Sequence, residues 1–205
     1  MSRLVNDLLF LARVDAQRVG VVMEPCDLAA VVRGAVEPMQ ALASAAGVRL
    51  TLETPQPVPI IGDADQLRSV VRNLVDNAIR CTPAGGSVVA WVRMEAGRPT
   101  VRIVDTGVGM DQTEADRVFD RFYRPDGARS RGSGGAGLGL AIARAIVVAH
   151  DGKIGLRSAL GQGAEVWFSL PPTAVPAARG SRAARRLGQT TPPAGSSPEL
   201  PAPPG

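Results

Sequence analysis

Apolar and polar positions follow two spacings along this chain, and their order predicts its elements. Apolar residues three and four apart predict helices over Met1–Val19, Leu28–Ala46, Asp63–Cys81 and Leu138–His150. Alternation predicts strands over Val48–Leu52, Ser87–Met94, Pro99–Val104, Lys153–Ser158 and Ala164–Leu170, with a shorter strand at Ile60–Gly62. A further short helical segment is expected around Val118–Arg124. Helix caps are expected at Asp27 and Asp63, and a helix stop at Gly47.

The first predicted helix needs a partner for one of its faces. Leu4, Leu8 and Leu11 form an apolar stripe along it. The stripe suits half of a helical hairpin or a dimer seam. The alternative is that it packs on the same chain's own domain.

The composition indicates one globular domain with extensions. Of the 205 residues, 45% are hydrophobic but only 3% are aromatic, so the core must be built from aliphatic side chains. From residue 172 onward the chain is rich in proline and poor in large apolar residues. Such a segment cannot bury enough surface to offset the entropy of ordering, so residues 172–205 are expected to form a disordered tail.

Charge and cysteine content exclude several functional classes. The net charge is +4, and arginines of the tail supply most of it, so the rest of the chain shows no sign of nucleic-acid binding. Cys26 and Cys81 lack metal-ligand spacing and suit a reducing cytosol. No apolar run is long enough to span a membrane, and no signal-peptide pattern is present. We therefore expect a cytoplasmic protein without direct membrane insertion.

The stretch Asp105–Met110 is the first candidate site. Asp105 follows a predicted strand and precedes Gly107 and Gly109, so a fixed carboxylate meets a turn that a flat ring can approach closely. Its oxygen can accept a hydrogen bond from an exocyclic amine such as that of adenine. The simpler alternative is that the motif is only a tight turn.

Two amides form a second candidate site on the third predicted helix. Asn73 and Asn77 lie four residues apart and share one face, while apolar residues of the same helix supply its packing face. An amide oxygen is an uncharged hard ligand, which suits a magnesium ion already neutralised by phosphates. The alternative is that the amides cap loops or face solvent.

A glycine-rich loop between Pro125 and Gly139 is a third candidate. It contains arginines and runs into an apolar helix whose N-terminal amides and glycines could accept a phosphate. As a lone glycine-rich loop it is only suggestive.

Taken in this order and spacing, the three stretches resemble the ATP-binding catalytic domain of two-component sensor histidine kinases. Asn73–Pro83 is similar to the family's N box and Asp105–Met110 to its first glycine box. Phe119–Arg124 is similar to its F box and Gly135–Leu140 to its second glycine box. The resemblance covers roughly Pro25–Pro171.

That resemblance implies an α+β fold of the Bergerat type. In such a two-layer α/β sandwich, helices cover one face of a mixed, mostly antiparallel sheet. ATP lies between the helices and a mobile lid. The catalytic domain would occupy residues 20–171, flanked by the N-terminal helix and the disordered tail.

Carried over residue by residue, the resemblance assigns a role to each candidate. It implies that Asp105 reads adenine, that Asn77 binds magnesium and that Asn73 lies one turn before it. Arg80 would contact phosphate in place of the usual Lys, and Arg124 would be a partner of the γ-phosphate. The nucleotide site would also be shaped by Gly107, Gly109, Gly135, Gly137, Leu138 and Gly139.

The chain departs from the family pattern at two positions. Cys81 stands where an aromatic residue often lines the adenine pocket, and Ala164 stands where Thr is common. Both changes could weaken nucleotide affinity without removing it.

Residues 1–19 also resemble this family, specifically the second helix of its dimerisation and phosphoacceptor hairpin. The family's acceptor histidine is not found, because the chain's one histidine, His150, takes the place of a structural His-Gly pair. The resemblance therefore implies a kinase part that passes the γ-phosphate of ATP to a histidine on another chain or on a missing N-terminal part. A response regulator would act downstream.

Two alternatives of other classes stay open. One is a catalytically silent ATP-binding module that docks on a kinase dimer and regulates it. The other is an anti-sigma-type serine kinase, against which the F box and the first helix argue.

Overall fold

A computed structural model describes residues 12, 20–54, 56–124 and 136–172. Three sequence predictions fall partly or wholly outside these ranges. They are the hairpin helix over residues 1–19, residues 125–135 of the glycine-rich loop, and the tail from residue 173.

The described residues form seven strands and five α-helices. In chain order these are β1 Glu24–Asp27, α1 Leu28–Val36, α2 Gln40–Ala45, β2 Arg49–Glu53, β3 Pro59–Gly62, α3 Ala64–Cys81, β4 Ser87–Glu95, β5 Arg98–Asp105, α4 Gln112–Arg117, α5 Gly139–Ala149, β6 Lys153–Ser158 and β7 Ala164–Ser169. None of these helices is both long enough and apolar enough to cross a membrane.

Five of the strands form one sheet in the order β2-β4-β5-β7-β6. β2 runs parallel to β4, and the other neighbours are antiparallel. β1 and β3 form a separate antiparallel ribbon. The expected mixed, mostly antiparallel sheet is confirmed.

The core lies between the helices and one face of this sheet, as the alternation of apolar residues requires. Its aliphatic side chains come from the strands and from α1, α3 and α5. Among the largest fully buried side chains are Leu28, Leu67, Leu74, Ile103, Ile146 and Phe168. The predicted aliphatic core with helices on one face is confirmed.

Side-chain caps place the helices as the sequence predicts. Oδ1 of Asp63 accepts hydrogen bonds from the N–H groups of Asp65 at 3.1 Å and Gln66 at 3.0 Å, so α3 begins at the expected point. Asp27 caps α1 and also accepts a hydrogen bond from the N–H of Val58 at 2.7 Å. A left-handed Gly47 follows α2.

Two predictions of local structure are wrong, and one strand was not predicted. The helix predicted over Leu28–Ala46 is interrupted by a 3₁₀ turn at Glu37–Met39, because Pro38 has no backbone N–H to continue the α-helical ladder. The short helix expected around Val118–Arg124 lies earlier in the chain, at α4 Gln112–Arg117, where Asp111 and Glu114 form a capping box. Strand β1 was not predicted, since Pro25 masks its pattern.

Candidate functional site

Asp105 is the last residue of β5, and only 6% of its surface is exposed. Its Oδ1 accepts hydrogen bonds from the N–H of Gly107 at 2.8 Å and from the N–H of Ala164 at 3.2 Å. Both of these bonds go to Oδ1. Burial raises the pKa of Asp105, and the two backbone hydrogen bonds oppose that effect. A carboxylate held in this way through Oδ1 can accept a hydrogen bond from a ligand through its second oxygen.

The turn after Asp105 lies against the end of α3. A Cβ on Gly107 would lie 2.5 Å from the carbonyl oxygen of Cys81 and 2.7 Å from Oδ1 of Asp105. The N–H of Val108 donates to the same Cys81 carbonyl at 3.2 Å. Gly109 has a φ of +65°, and a Cβ there would clash with the carbonyl oxygen of Ala159. Lack of space therefore requires glycine at both predicted positions.

The β6–β7 hairpin completes this wall of the site. The hydroxyl of Ser158 donates to the carbonyl of Gly163 at 2.7 Å and accepts from the N–H of Met110 at 3.0 Å. Gly163 has a φ of +75°, and a Cβ there would clash with the carbonyl oxygen of Asp105. Sequence reasoning identified only the hairpin and missed the contacts of Ser158 and Ala164. Gly163 was the available signal, since a glycine in a strand turn often marks close backbone approach.

One face of α3 carries the predicted amides. Asn73 is 8% exposed, and Asn77 and Cys81 follow at successive turns and are half-buried. At 1.5 Å rise per residue, the row from Asn73 to Cys81 is about 12 Å long. Its Cys81 end adjoins the Asp105 turn through the carbonyl contact with Gly107.

The other end of this row faces the start of α5. A Cβ on Gly139 would lie 3.7 Å from Oδ1 of Asn73, so the amide and the helix terminus are neighbours. Leu138 precedes the helix and is 1% exposed, which fixes that terminus in the core. A helix N-terminus presents backbone N–H groups and the positive end of the helix dipole to an anion.

Gly137 has a φ of +71°, and a Cβ there would lie 2.9 Å from the carbonyl oxygen of Tyr123. Its own carbonyl accepts a hydrogen bond from the N–H of Phe122 at 3.0 Å. This contact joins the predicted F box to the second glycine box. Of the aromatic residues expected to anchor the F box, Phe119 packs on the core, whereas Phe122 is 60% exposed. Gly135 lies outside the described residues.

The two predicted phosphate contacts are placed differently. Nε of Arg80 donates to Oδ1 of Asp76 at 3.1 Å, one turn earlier on the exposed side of α3. Arg124 lines a cavity of about 740 Å³ around α4 whose lining includes none of Asn73, Asn77 and Asp105. The structure thus places Asn73 against Gly139 and the Asp105 turn against the end of α3, and it places Arg124 beside α4.

His150 is 1% exposed and has both ring nitrogens engaged. Nδ1 lies 2.8 Å from the carbonyl oxygen of Ile146, and Nε2 accepts a hydrogen bond from the N–H of Asp63 at 3.0 Å. This arrangement requires the neutral tautomer with its proton on Nδ1. The ring links the end of α5 to the cap of α3, which supports the structural role expected from the sequence.

A buried carboxylate beside a glycine turn adjoins one end of the row of amides on α3, and a helix N-terminus adjoins the other end. Together they define a nucleotide-binding domain, because they offer an acceptor for a base at one end and an anion site at the other.

Comparison with known proteins identifies the family. The family model for histidine kinase-, DNA gyrase B- and HSP90-like ATPases matches residues 62–174. Since this match covers more than half of the chain, the chain belongs to that family of ATPases. The family therefore makes ATP the nucleotide of this domain.

Among curated relatives, the sensor histidine kinase RppB of Synechocystis is 37% identical over 177 residues, which are 86% of this chain and 39% of that protein. The sensor protein kinase WalK of Staphylococcus epidermidis is 36% identical over 174 residues, 83% of this chain and 28% of that protein. The chain thus spans well under half the length of these relatives.

Solved structures agree in fold. Full-length ShkA in complex with AMPPNP is 34% identical, with a TM-score of 0.72 over 82% of this chain and 35% of its own. The mycobacterial sensor histidine kinase MprB is 30% identical, with a TM-score of 0.63 over 74% of this chain and all of its own. These similarities confirm the predicted fold class.

Proposed function

We propose that this chain is the ATP-binding catalytic part of a two-component histidine kinase, and that it donates the γ-phosphate of ATP to a histidine on another polypeptide segment. The observation that carries this proposal is the buried Asp105, whose Oδ1 is held by two backbone N–H groups in a glycine turn at one end of the α3 row. The names of the curated relatives support it, since both are sensor kinases.

ATP would lie along the row from Cys81 to Asn73. Oδ2 of Asp105 would accept a hydrogen bond from the exocyclic amine of adenine, and the turn at Gly107 would lie beside the ring. The triphosphate would extend toward Asn73 and the start of α5, where Gly137, Leu138 and Gly139 shape the turn. The length of the row, about 12 Å, is of the order of the span from adenine to the terminal phosphate.

A magnesium ion would bind along the same row. Its preferred ligands are oxygens, and the amide of Asn77, with Asn73 one turn before it, offers neutral oxygen ligands beside the expected phosphates. When bound, the ion would neutralise phosphate charge. Arg80, and Arg124 once the site closes, would add positive charge near the phosphates.

The role of this domain in the reaction would be to position ATP and to neutralise charge, because phosphoryl transfer needs no covalent bond to the kinase domain. A ring nitrogen of the acceptor histidine would form a bond to the γ-phosphorus. The bond from that phosphorus to the bridging oxygen would break, and ADP would leave. The acceptor would be carried by a dimerisation hairpin, and a response regulator would then receive the phosphate. The site of reaction would be the cytoplasm, where ATP is available.

The test is a titration of the chain with a fluorescent ATP analogue, with and without magnesium. A second assay adds γ-labelled ATP and a separate hairpin protein that carries the acceptor histidine. We expect magnesium-dependent binding and acid-labile label on the hairpin. Binding that is absent would overturn the nucleotide assignment. Binding without transfer to any hairpin protein would overturn the kinase assignment alone.

A further inference from the structure

The hydroxyl of Ser158 joins two backbone segments at the Asp105 end of the site. Ser158 is the last residue of β6 and is half-buried. Its Oγ donates a hydrogen bond to the carbonyl of Gly163 at 2.7 Å and accepts one from the N–H of Met110 at 3.0 Å. Met110 lies in the turn after β5 and Gly163 in the β6–β7 hairpin, and both residues are buried. Water therefore cannot replace the Ser158 hydroxyl unless one of these segments moves.

The peptide unit between Gly163 and Ala164 is held at both of its polar groups. Its carbonyl accepts the hydrogen bond from Ser158, and its N–H donates to Oδ1 of Asp105 at 3.2 Å. A peptide unit is planar, so a rotation that frees the carbonyl also turns the N–H away from Asp105. Gly163 is a glycine with a φ of +75°, and a glycine backbone has more conformational freedom than any other. The hydrogen bond from Ser158 therefore restrains the direction of the N–H that holds Asp105.

The second donor to Asp105 lies in the segment that Met110 closes. The N–H of Gly107 donates to Oδ1 of Asp105 at 2.8 Å, three residues before Met110. Between them, the carbonyl of Val108 accepts a hydrogen bond from the N–H of Gly161 at 2.8 Å, which joins the turn and the hairpin a second time. Both N–H donors to Asp105 thus belong to segments that Ser158 connects.

We propose that Ser158 is a positioning residue for Asp105, and that it sets how strongly this domain prefers a purine with an exocyclic amine to one without. Loss of the hydroxyl leaves the buried N–H of Met110 and the carbonyl of Gly163 without this partner, so the two segments must shift to find others. Such a shift turns the Asp105 carboxylate and weakens its hydrogen bond to the amine, because hydrogen bonds depend on angle. The proposal rests on the proposed function, in which Asp105 accepts that bond from adenine.

The experiment compares the affinity for ATP with that for purine riboside triphosphate, which is ATP without its exocyclic amine. Both are titrated with magnesium into the full chain and into Ser158→Ala. We expect the parent to bind ATP about tenfold more tightly than the analogue, because the amine donates to a charged acceptor. In Ser158→Ala this preference should fall to about threefold or less. A merely structural role of Ser158 would weaken both nucleotides equally, and loss of folded protein cancels in the ratio.

Thr100→Val is the matched control. The Thr100 hydroxyl also donates to a backbone carbonyl, that of Arg98 at 3.2 Å, but it lies on β5 five residues from Asp105, or about 17 Å along the strand. Thr100→Val should keep the preference of the parent. Asp105→Asn should remove the preference, and adding Ser158→Ala to it should change the ratio no further, since Ser158 acts through Asp105.

An unchanged preference in Ser158→Ala, or an equal loss in Thr100→Val, would overturn the inference and leave the proposed function standing. If the parent binds ATP and the analogue equally well, the assigned role of Asp105 in the proposed function falls, and the inference falls with it.

Hydrogen exchange of the parent decides the matter if Ser158→Ala does not fold. The N–H of Met110 should then be protected about as well as those of Gly107 and Ala164, because the three groups are joined through Ser158 and Asp105. Rapid exchange of Met110 beside slow exchange of the other two would show that Ser158 does not hold the turn.

Discussion

The N–H of Ala164 donates a hydrogen bond to Oδ1 of Asp105 at 3.2 Å, across 59 positions of sequence. Together with the N–H of Gly107, it occupies one carboxylate oxygen and leaves the other for a ligand. The orientation of the carboxylate is therefore set by the backbone of two neighbouring segments, and its function should depend on both oxygens.

Asp105→Asn should weaken ATP binding by about 1–3 kcal/mol, the cost of losing a buried hydrogen bond. An amide has a single acceptor oxygen, so either the backbone N–H groups or the ligand would face an NH₂ donor. Isothermal titration with ATP and magnesium measures the change. Asp65→Asn, an exposed position on α3 paired with Arg68, is the matched control and should bind as the parent does. Parental affinity in Asp105→Asn would refute the assigned role.

Nucleotide affinity should fall as the pH is lowered, because a ligand N–H requires the ionised form of Asp105. Burial raises the pKa of this carboxyl above its ordinary value of 3.8, so the loss should begin at a higher pH than for a solvated Asp. The pH dependence of folding stability has the opposite sign. Because the pKa of Asp105 is raised in the fold, its contribution to stability is present at low pH and is lost as the pH rises through the folded-state pKa. Affinity measured against pH for the parent and Asp105→Asn checks this. Identical profiles would contradict the prediction, since titration of the ATP phosphates is common to both proteins.

Gly163→Ala should destabilise the domain more than Gly161→Ala does. The φ angles are nearly equal, +75° and +73°, so both variants bear a similar left-handed backbone cost of about 1–2 kcal/mol. A Cβ at Gly161 meets nothing within 4 Å, whereas one at Gly163 meets the Asp105 carbonyl. We expect Gly163→Ala to lower the free energy of unfolding by about 1–3 kcal/mol more than Gly161→Ala does, and to bind ATP more weakly. Urea unfolding and ATP titration measure both effects, and equal losses in the pair would refute the packing argument.

Asp63→Ala should lower the free energy of unfolding by about 1 kcal/mol through loss of the α3 cap, while Asp63→Asn should retain most of it. Burial disfavours the ionised carboxyl, but the N–H groups of Gln66, Val22 and Asp65 outweigh it and lower the pKa of Asp63. The stability that the ionised Asp63 contributes is therefore present above the unfolded-state pKa and is lost as the pH falls through the folded-state pKa. Thermal unfolding from neutral to acid pH should show a smaller acid dependence in Asp63→Ala than in the parent. If Asp63→Ala and the parent lose stability equally as the pH falls, ionisation of Asp63 does not contribute to folding stability.

His150 should remain unlabelled when the chain is incubated with γ-labelled ATP and magnesium. Its two nitrogens are engaged with Ile146 and Asp63 inside the core, so neither can attack a phosphorus without local unfolding. Acid-labile label located by mass spectrometry at His150 would contradict this prediction.

The local spacing of apolar residues was sufficient to predict most helices and strands, because burial of one face imposes a period of 3.6 residues on a helix and of 2 on a strand. The apolar face of α3 and the hairpin β4–β5 follow directly from it. The pattern was insufficient at Pro38, where one missing N–H interrupts an otherwise helical segment, and at α4, where the cap at Asp111 outweighs the aromatic cluster that follows.

By itself, the sequence determined which residues are candidates for the site, since Asp105, the two Asn residues and the glycines are identified by type and spacing. Their functional roles remain predictions. Only the tertiary structure decided which of them meet. The register of β5 against β7 places Ala164 opposite Asp105, and the end of α3 brings the Cys81 carbonyl to Gly107. Such contacts depend on strand register and long-range closure of the chain, and spacing within one segment does not encode them.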